Sequence, residues 1–552
     1  MEEVSQSLKN LQELFKTADN AEQQIICFQR IDMIKGHFST MSNLAYIRHS
    51  IDTKDPFYNE EIDFFNENTP HFEALMDECN QMLLKSPYRD QLTEKLGRHF
   101  FKLLEAKAKT FSPEIIEDLV AENKLCSRYD RLIAAAEVDF EGEKYTLAQL
   151  TPFRQSTDRQ RRKAASEAYY GYYRDHGEEI DDIYDQLVHL RTKMAKKLGF
   201  SNFIEMAYLR LLRTDYKAED VARYRDQVFT ELVPLVAELK ERQRERLGLS
   251  DFKYYDDSLQ FETGNAGPQG EADWILDQAK TMYRELSPET DEFFSFMTDY
   301  DLMDLLAKPG KEAGGYCTEL PDFKAPFIFA NFNGTKEDVE VMTHEAGHAF
   351  QFYQSRDIMP SDCQDPTYEA AEIHSMSMEF LTWPWMEKFF GQETDKFKFS
   401  HLAGAVEFIP YGTAVDEFQH WVYANPEARP DERHAQWRKI EWKYQPYLDF
   451  DGFDYLEAGG KWTRQLHIFT DPFYYIDYCL AQVCAFQFWI KDREDHASAW
   501  EAYLKLCRLG GSRPFTELVK AAGLKNPFEP GTLAEIAGQV KAYLDSVDDR
   551  DF

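Results

Sequence analysis

The segment His344-Glu345-Ala346-Gly347-His348 combines residue types that can bind a metal ion and activate water. In a helix, His344 and His348 lie one turn apart on the same face, so both imidazoles can reach one ion. Glu345 follows the first imidazole directly, and its carboxylate can act as the general base. With 14 histidines among 552 residues, this pattern arises by chance in roughly a few per cent of such chains. It therefore predicts a zinc site that needs a third ligand and a suitable context.

The best candidate for that third ligand is Glu372, because a catalytic zinc uses three protein ligands and one open position. Asp365-Pro366-Thr367 predicts the start of a second helix, with Asp365 as N-cap, that continues to about Trp383. Glu372 and Glu379 share one face of this helix, two turns apart. We predict that Glu372 binds the metal and that Glu379 orients a ligand imidazole. A solvated surface position is the alternative for each glutamate.

The residues around the motif predict how its helix is packed. Residues 325–332 predict a strand, and Asn333-Gly334 predicts the turn that follows it. A strand beside a metal-binding helix suits a peptidase, because an extended substrate can hydrogen-bond along a sheet edge. Gly347 inside the helix costs about 1 kcal/mol relative to alanine. Either Gly347 lets another helix approach closely, or it is a small residue that a buried helix tolerates.

Three segments resemble a known family. The run from His344 to Glu379, including Glu372-Ile373-His374-Ser375-Met376-Ser377-Met378-Glu379, resembles the oligoendopeptidase F and thimet oligopeptidase family of zinc metallopeptidases. The run from His467 to Tyr478 resembles the family's substrate loop of histidine and tyrosines, especially that of the bacterial Pz-peptidase branch. Gly314-Gly315-Tyr316-Cys317 resembles the glycine-rich edge near the family's cleft. The resemblance covers residues 310–490 approximately.

This resemblance implies roles for individual residues. The implied zinc ligands are His344, His348 and Glu372, with one Zn²⁺ per chain, and Glu345 is the implied general base and proton shuttle. The implied substrate contacts are His467 and Tyr478 at the carbonyl and the developing oxyanion, Tyr475 nearby, and Gly314, Gly315 and Tyr316 at the edge of the cleft.

The loop after His467 departs from the family pattern. Thr470-Asp471-Pro472 occupies a stretch that is glycine-rich in the animal members. The metal ligands are unaffected, but the choice between Tyr475 and Tyr478 as oxyanion donor stays open. We favour Tyr478.

Composition indicates a large globular protein and excludes several classes. The chain is 43% hydrophobic, enough for a large core, and its net charge of −35 disfavours binding to nucleic acid or anionic membranes. No apolar run approaches about 18 residues, so no membrane span is expected. The acidic start, Met1-Glu2-Glu3-Val4, does not resemble a signal peptide. Eight scattered cysteines without a C-x-x-C pair favour reduced thiols and a cytoplasmic location.

Helical spacing dominates the sequence, as in Val4, Leu8, Leu11 and Phe15. We therefore predict a mainly α fold. The resemblance implies a large helical ellipsoid of two lobes around a deep substrate channel, with a small β-sheet beside the metal-binding helix. A soft division near residue 195 separates an N-terminal helical region, 1–195, from a zincin catalytic region, 196–552.

These features together predict a zinc endopeptidase that hydrolyses oligopeptides. The restriction to short peptides comes from the resemblance alone, and the Pz-peptidase branch implies proline- and glycine-containing, collagen-derived peptides. One alternative is a dipeptidyl carboxypeptidase of the same superfamily, for which Arg464 or Arg356 would clamp the substrate C-terminus. Another is a catalytically silent helical peptide-binding protein, although an intact Glu345 argues against a decayed site. The sequence does not predict the oligomeric state.

Overall fold

The computed structural model describes residues 1–552 as a mainly helical protein with five short strands, which confirms the predicted fold class. The helices before the larger sheet are α1 (Glu2–Lys16), α2 (Ala21–Ile51), α3 (Pro56–Leu84), α4 (Arg89–Leu96), α5 (Arg98–Thr110), α6 (Ile116–Ala134), α7 (Thr151–Arg154), α8 (Arg159–Asp175), α9 (Gly177–Lys197), α10 (Phe203–Arg210), α11 (Ala218–Gln227), α12 (Val233–Arg246), α13 (Ala272–Leu286) and α14 (Pro288–Asp299). Those after it are α15 (Glu337–Ser355), α16 (Tyr368–Leu381), α17 (Glu387–Phe390), α18 (Thr394–Ala424), α19 (Pro430–Tyr444), α20 (Asp454–Glu457), α21 (Leu466–Thr470), α22 (Tyr475–Glu494), α23 (His496–Leu509), α24 (Phe515–Ala521) and α25 (Thr532–Ser546).

Two small sheets interrupt the helices. The five strands are β1 (Val138–Phe140), β2 (Glu143–Tyr145), β3 (Met303–Leu306), β4 (Tyr316–Leu320) and β5 (Ala325–Phe332). Strands β1 and β2 form an antiparallel hairpin. In the larger sheet β5 lies between β3, to which it is parallel, and β4, to which it is antiparallel. Strand β4 is therefore an edge strand, and the sheet lies directly before α15 in the chain.

Several elements begin and end where the sequence predicts them. Strand β5 covers the predicted residues 325–332, and α1 buries Leu8, Leu11 and Phe15. The start of α16 differs, because the helix begins at Tyr368 with Thr367 as its N-cap. The backbone of Thr367 is extended, with φ −61° and ψ 155°, so Asp365 lies outside the helix and does not cap it.

Helix α16 lies between α15 and α22, and these three helices form the centre of the main hydrophobic core. This core includes buried residues from Ile115 to Leu544. The predicted division near residue 195 falls close to the end of α9 and stays a prediction. All eight cysteines are free, and none of the helices is both long and apolar enough to cross a membrane.

The contact between α15 and α16 is unusually close at Gly347. A Cβ atom at this position would lie 2.6 Å from the His374 carbonyl oxygen and 2.6 Å from the Ser375 Cα. Both atoms belong to the backbone of α16, which cannot move aside as a flexible side chain can. The first of the two explanations for Gly347 is therefore correct: its missing side chain allows the two helix backbones to touch.

We predict that Gly347→Ala separates α15 from α16 and weakens the metal site. Overpacking of this kind costs about 1–3 kcal/mol. The free energy of unfolding and the zinc affinity should both fall, as measured by chemical denaturation and by metal titration. Gly404→Ala in α18 is the matched control, because no atom lies within 4 Å of its added Cβ. A Gly347→Ala protein as stable as the Gly404→Ala protein would contradict the prediction.

Candidate metal centre and substrate site

Helices α15 and α16 bring three potential metal donors together. Glu372 Oε2 lies 3.2 Å from His344 Nε2 and 3.3 Å from His348 Nε2. The three side chains place their ligand atoms within 4.8 Å of one another. For zinc–ligand bonds of about 2.0–2.1 Å, a tetrahedral site has its ligand atoms about 3.3–3.4 Å apart. The spacing of the carboxylate oxygen from each imidazole therefore fits a tetrahedral ion.

A second layer of polar groups fixes the orientation of His344. Its Nδ1 lies 2.7 Å from Glu379 Oε1, so the imidazole donates there and leaves Nε2 free to face the metal position. The other oxygen of Glu379 accepts from His401 Nε2 at 2.8 Å. Trp383 donates its indole N–H to His401 Nδ1 at 3.1 Å, which leaves the proton of a neutral His401 on Nε2. Glu379 thus lies behind the candidate ligand His344, and its role in orienting this imidazole stays a prediction.

Glu372 is held in the same way. Its Oε2 accepts a hydrogen bond of 2.8 Å from Ser375, one turn along α16, and its Oε1 accepts from the Tyr474 hydroxyl. The sequence did not single out Tyr474, His401 or Trp383. Of these three, only Tyr474 could have been found from the sequence, because it lies in the run from His467 to Tyr478 that resembles the family's substrate loop.

The electrostatics of the cluster favour a cation. Although burial raises the pKa of the Glu372 carboxyl, the two nearby imidazoles bring that pKa well below its usual value. Burial also raises the pKa of Glu379, but hydrogen bonds from His344 and His401 lower the pKa to about 2. Both carboxylates are therefore ionised at neutral pH. Two buried negative charges around two imidazoles suit a divalent ion.

We predict that Glu379→Gln weakens zinc binding about 10–100-fold, the usual effect of losing a hydrogen-bond partner behind a ligand. The amide still accepts one hydrogen bond, but its NH₂ group faces the donor Nε2–H of His401. Competition with a chromophoric chelator measures the affinity. Glu494→Gln, on an exposed part of α22, is the matched control and should bind zinc like the unchanged protein. Equal affinities for both variants would contradict the role of Glu379.

Glu345 lies against the glycine-rich edge that the sequence singled out. A Cβ atom at Gly315 would lie 3.3 Å from Glu345 Oε1, so a side chain at this position would crowd the carboxylate. The other oxygen, Oε2, is buried and has no hydrogen-bond partner within the protein. Burial raises the pKa of Glu345, and the charges of His344 and His348 oppose this shift. The carboxylate thus has a buried oxygen that no protein group binds.

His467 and Tyr478 form a pair beside the donors. The Tyr478 hydroxyl lies 3.2 Å from His467 Nε2, and the ring of Tyr478 lies 4.9 Å from that of Tyr474. Burial lowers the pKa of His467, so this imidazole is neutral at neutral pH. Tyr475 packs its ring 5.2 Å from the His467 ring, within the same cluster.

Gln465 sets the tautomer of His467 and was not predicted from the sequence. The Tyr411 hydroxyl donates to Gln465 Oε1 at 2.8 Å, which fixes the orientation of the side-chain amide. The NH₂ group of Gln465 then donates to His467 Nδ1 at 2.9 Å. His467 therefore carries its proton on Nε2, where it can be donated to Tyr478 or to a substrate oxygen.

Gly314 and Tyr316 shape the edge strand. The carbonyl oxygen of Gly314 accepts a 2.7 Å hydrogen bond from the Asn331 side chain on β5. Tyr316 stacks its ring 4.7 Å from that of Phe329, and its hydroxyl lies 2.6 Å from the Ser50 hydroxyl on α2. The structure thus joins Tyr316 to the N-terminal helices, whereas Gly315 lies next to Glu345.

The fold and the donor set define a class: helical proteins with an H-E-x-x-H motif and a glutamate from a second helix. Family models match in two places, the Peptidase M3 N-terminal domain at residues 1–111 and Peptidase family M3 at residues 289–538. Among solved structures, Pz peptidase A with an inhibitor is 54% identical with a TM-score of 0.99, over 100% of this chain and 98% of that chain. The chain therefore belongs to peptidase family M3.

Other relatives agree with this assignment. A Bacillus anthracis strain Ames structure described as an oligoendopeptidase F is 50% identical with a TM-score of 0.94, over 100% of this chain and 97% of that chain. Oligoendopeptidase F of Lactococcus lactis subsp. cremoris is 24% identical over 243 residues, which are 44% of this chain and only 39% of that relative. Oligoendopeptidase F of Enterococcus faecium is 16% identical with a TM-score of 0.66, over 100% of this chain and 97% of that chain, so it shows the fold alone.

Proposed function

We propose that this protein is a zinc-dependent endopeptidase that hydrolyses short peptides. The observation that supports it best is the convergence of His344, His348 and Glu372 beside a buried Glu345 with one oxygen free. Two imidazoles and one carboxylate are a donor set that catalytic zinc uses. Zinc held there supplies a Lewis acid that acidifies water and polarises a carbonyl group.

Glu345 is the proposed general base. Its carboxylate accepts the proton of the attacking water, and the same carboxyl then donates this proton to the leaving amine. Burial raises its pKa, so it is a stronger base than an exposed glutamate and a competent acid once protonated. The Glu345 carboxyl group thus carries the proton from the attacking water to the leaving amine.

Tyr478 and His467 are the proposed donors to the oxyanion of the tetrahedral intermediate. Both are neutral hydrogen-bond donors in a buried site, where such bonds are stronger than in water. The contact between the Tyr478 hydroxyl and His467 Nε2 supports Tyr478 over Tyr475, since it places both donor groups at one point.

The peptide backbone is proposed to bind along β4. This strand pairs with another strand on one side only, although Asn43 donates to the Glu319 carbonyl oxygen near its end, and it follows the glycine-rich segment that lies next to Glu345. An extended peptide can add to such an edge by main-chain hydrogen bonds. The resemblance of residues 467–478 to the Pz-peptidase branch leads us to propose proline- and glycine-containing, collagen-derived peptides as substrates.

The function is tested with an internally quenched fluorescent peptide. We expect cleavage to stop with a chelator and to return when zinc is added back, because the ion supplies the Lewis acid. Glu345→Gln should keep one zinc by elemental analysis and lose more than about 10³ in turnover, because it removes only the base. A cleavage rate that the chelator does not change, or near-normal turnover by Glu345→Gln, would disprove the proposal.

Replacing the two candidate tyrosines separates their roles. Tyr478→Phe should lose about 10²–10³ in kcat, the usual effect of removing one oxyanion donor. Tyr475→Phe should lose less, because the ring of Tyr475 packs on Phe408 and Tyr411 and keeps those contacts. Single-turnover rates measure the chemical step for each variant. The reverse order of losses would assign the oxyanion to Tyr475.

A further inference from the structure

A cavity of about 240 Å³ lies beside the tyrosine cluster and contains an excess of positive charge. Its charged lining residues are Arg154, Lys240, Asp257, Glu407, Lys461 and Arg464. Lys240 pairs with Asp257 at 2.8 Å and with Glu407 at 2.7 Å, so one lysine contacts both acids of the lining, and the lining has four cationic groups against two carboxylates. Lys461 has a carboxylate partner behind the wall, Glu441, at 3.4 Å.

Arg154 and Arg464 have no such partners. The Nε of each guanidinium is buried without a hydrogen bond, and neither side chain makes an ion pair within the protein. Arg154 lies 4.1 Å from the Tyr169 ring centre, and Arg464 lies 5.5 Å from that of Tyr411. Both arginines are half-buried, and an arginine that lines a cavity without a carboxylate partner leaves its outer N–H groups available to a ligand, although this chain has 98 acidic residues that could supply a partner. Two unpaired guanidinium groups in one cavity therefore point to a ligand.

One of the four tyrosines in the lining, Tyr170, has a pKa that reflects this positive charge. Burial raises the pKa of Tyr170, but Arg464, Arg154 and Lys461 bring that pKa below its usual value. The positive charge is therefore concentrated beside Tyr170, near Arg464 and Arg154, whereas burial raises the pKa values of the lining residues Tyr254, Tyr411 and Tyr447.

The cavity lies next to the proposed active site. Arg464 ends the 3₁₀ helix Gly460–Arg464, and the next residue, Gln465, hydrogen-bonds both His467 and the cavity residue Tyr411. The His467 ring lies 5.2 Å from the Tyr475 ring, and the Tyr475 ring lies 5.9 Å from the Tyr411 ring. The Arg464 guanidinium lies 5.5 Å from the Tyr411 ring. The guanidinium is therefore at most about 17 Å from the His467 ring, a distance that about five extended residues span.

We propose that this cavity binds the C-terminal carboxylate of the peptide substrate, through Arg464 and Arg154. Guanidinium groups bind carboxylates by paired, charge-assisted hydrogen bonds, and every unmodified peptide of the proposed length carries one carboxylate at its end. The proposal rests on the proposed peptidase function. It makes short peptides with a free C-terminus the preferred substrates, because an internal segment of a longer chain has no such group to place in the cavity.

Three peptides of one sequence test the proposal: a free acid, a C-terminal amide, and an amide with aspartate as its last residue. We expect the unchanged enzyme to favour the free acid over the plain amide by about tenfold or more in kcat/KM, the value of a charge-assisted hydrogen bond. If the free acid is cleaved better than both amides, the cavity recognises the C-terminal carboxylate. If the free acid and the aspartyl amide have equal kcat/KM values, the cavity recognises either a C-terminal or a side-chain carboxylate. Equal cleavage of all three peptides would overturn the proposal.

Replacing Arg464 or Arg154 tests whether these side chains cause the preference for the free acid. Arg464→Gln should bring the ratio of free acid to plain amide towards one, and Arg464→Lys should restore part of it. Arg154→Gln provides the same test if Arg464→Gln does not fold, as judged by thermal melting. Arg550→Gln, with an exposed side chain, is the matched control and should keep the original ratio. An equal loss on all peptides in Arg464→Gln would overturn the proposal.

Binding without turnover separates this proposal from the proposed function. In the Glu345→Gln background, fluorescence anisotropy with labelled peptides should give a Kd for the free acid that is lower than that for the plain amide by a similar factor. Equal Kd values would contradict carboxylate recognition even if the enzyme cleaves peptides. If the zinc-loaded enzyme cleaves none of the three, the peptidase function itself fails, whereas lost selectivity with intact cleavage rejects the cavity alone.

Discussion

The close backbone contact between α15 and α16 is the constraint on which the site depends. The motif on α15 supplies two imidazoles, and the third donor comes from another helix. Glu372 can lie within 3.3 Å of both imidazoles only because Gly347 has no side chain to hold the helices apart. Further polar groups then hold each donor: Glu379 and His401 behind His344, and Ser375 and Tyr474 on Glu372.

This polar cluster is stable in a largely apolar core because its charges are paired and hydrogen-bonded. An isolated buried carboxylate is costly, but Glu379 accepts two hydrogen bonds from imidazoles, and Glu372 accepts two from hydroxyl groups. Buried polar atoms without a hydrogen-bond partner near this cluster therefore mark positions where a ligand could bind. The Nε atoms of Arg154 and Arg464 are buried without partners in the cavity that we propose for the substrate carboxylate, and Glu345, with its unbonded Oε2, is the proposed base for the attacking water.

Local features of this protein could be predicted from its sequence, whereas contacts between distant segments could not. Helical spacing predicted the shared face of His344 and His348, and the run of apolar residues predicted β5. The mainly helical class is confirmed. By contrast, His401 and Gln465 act through contacts that depend on how helices pack, and no periodic pattern marks either residue. The N-cap of α16 was misplaced because Asp365 and Thr367 are both favourable capping residues, and only the backbone angles separate them.

The origin of the three donors in two separate helices has a consequence for biosynthesis. A chain emerging from the ribosome offers at most the two imidazoles of the motif until α16 has docked on α15. The complete coordination set thus exists only in the assembled protein, since metal ligands that come from separate elements are rarely preformed in the unfolded state. The donor set is therefore a product of tertiary structure, and any metal-dependent activity has to wait for the docking of α16.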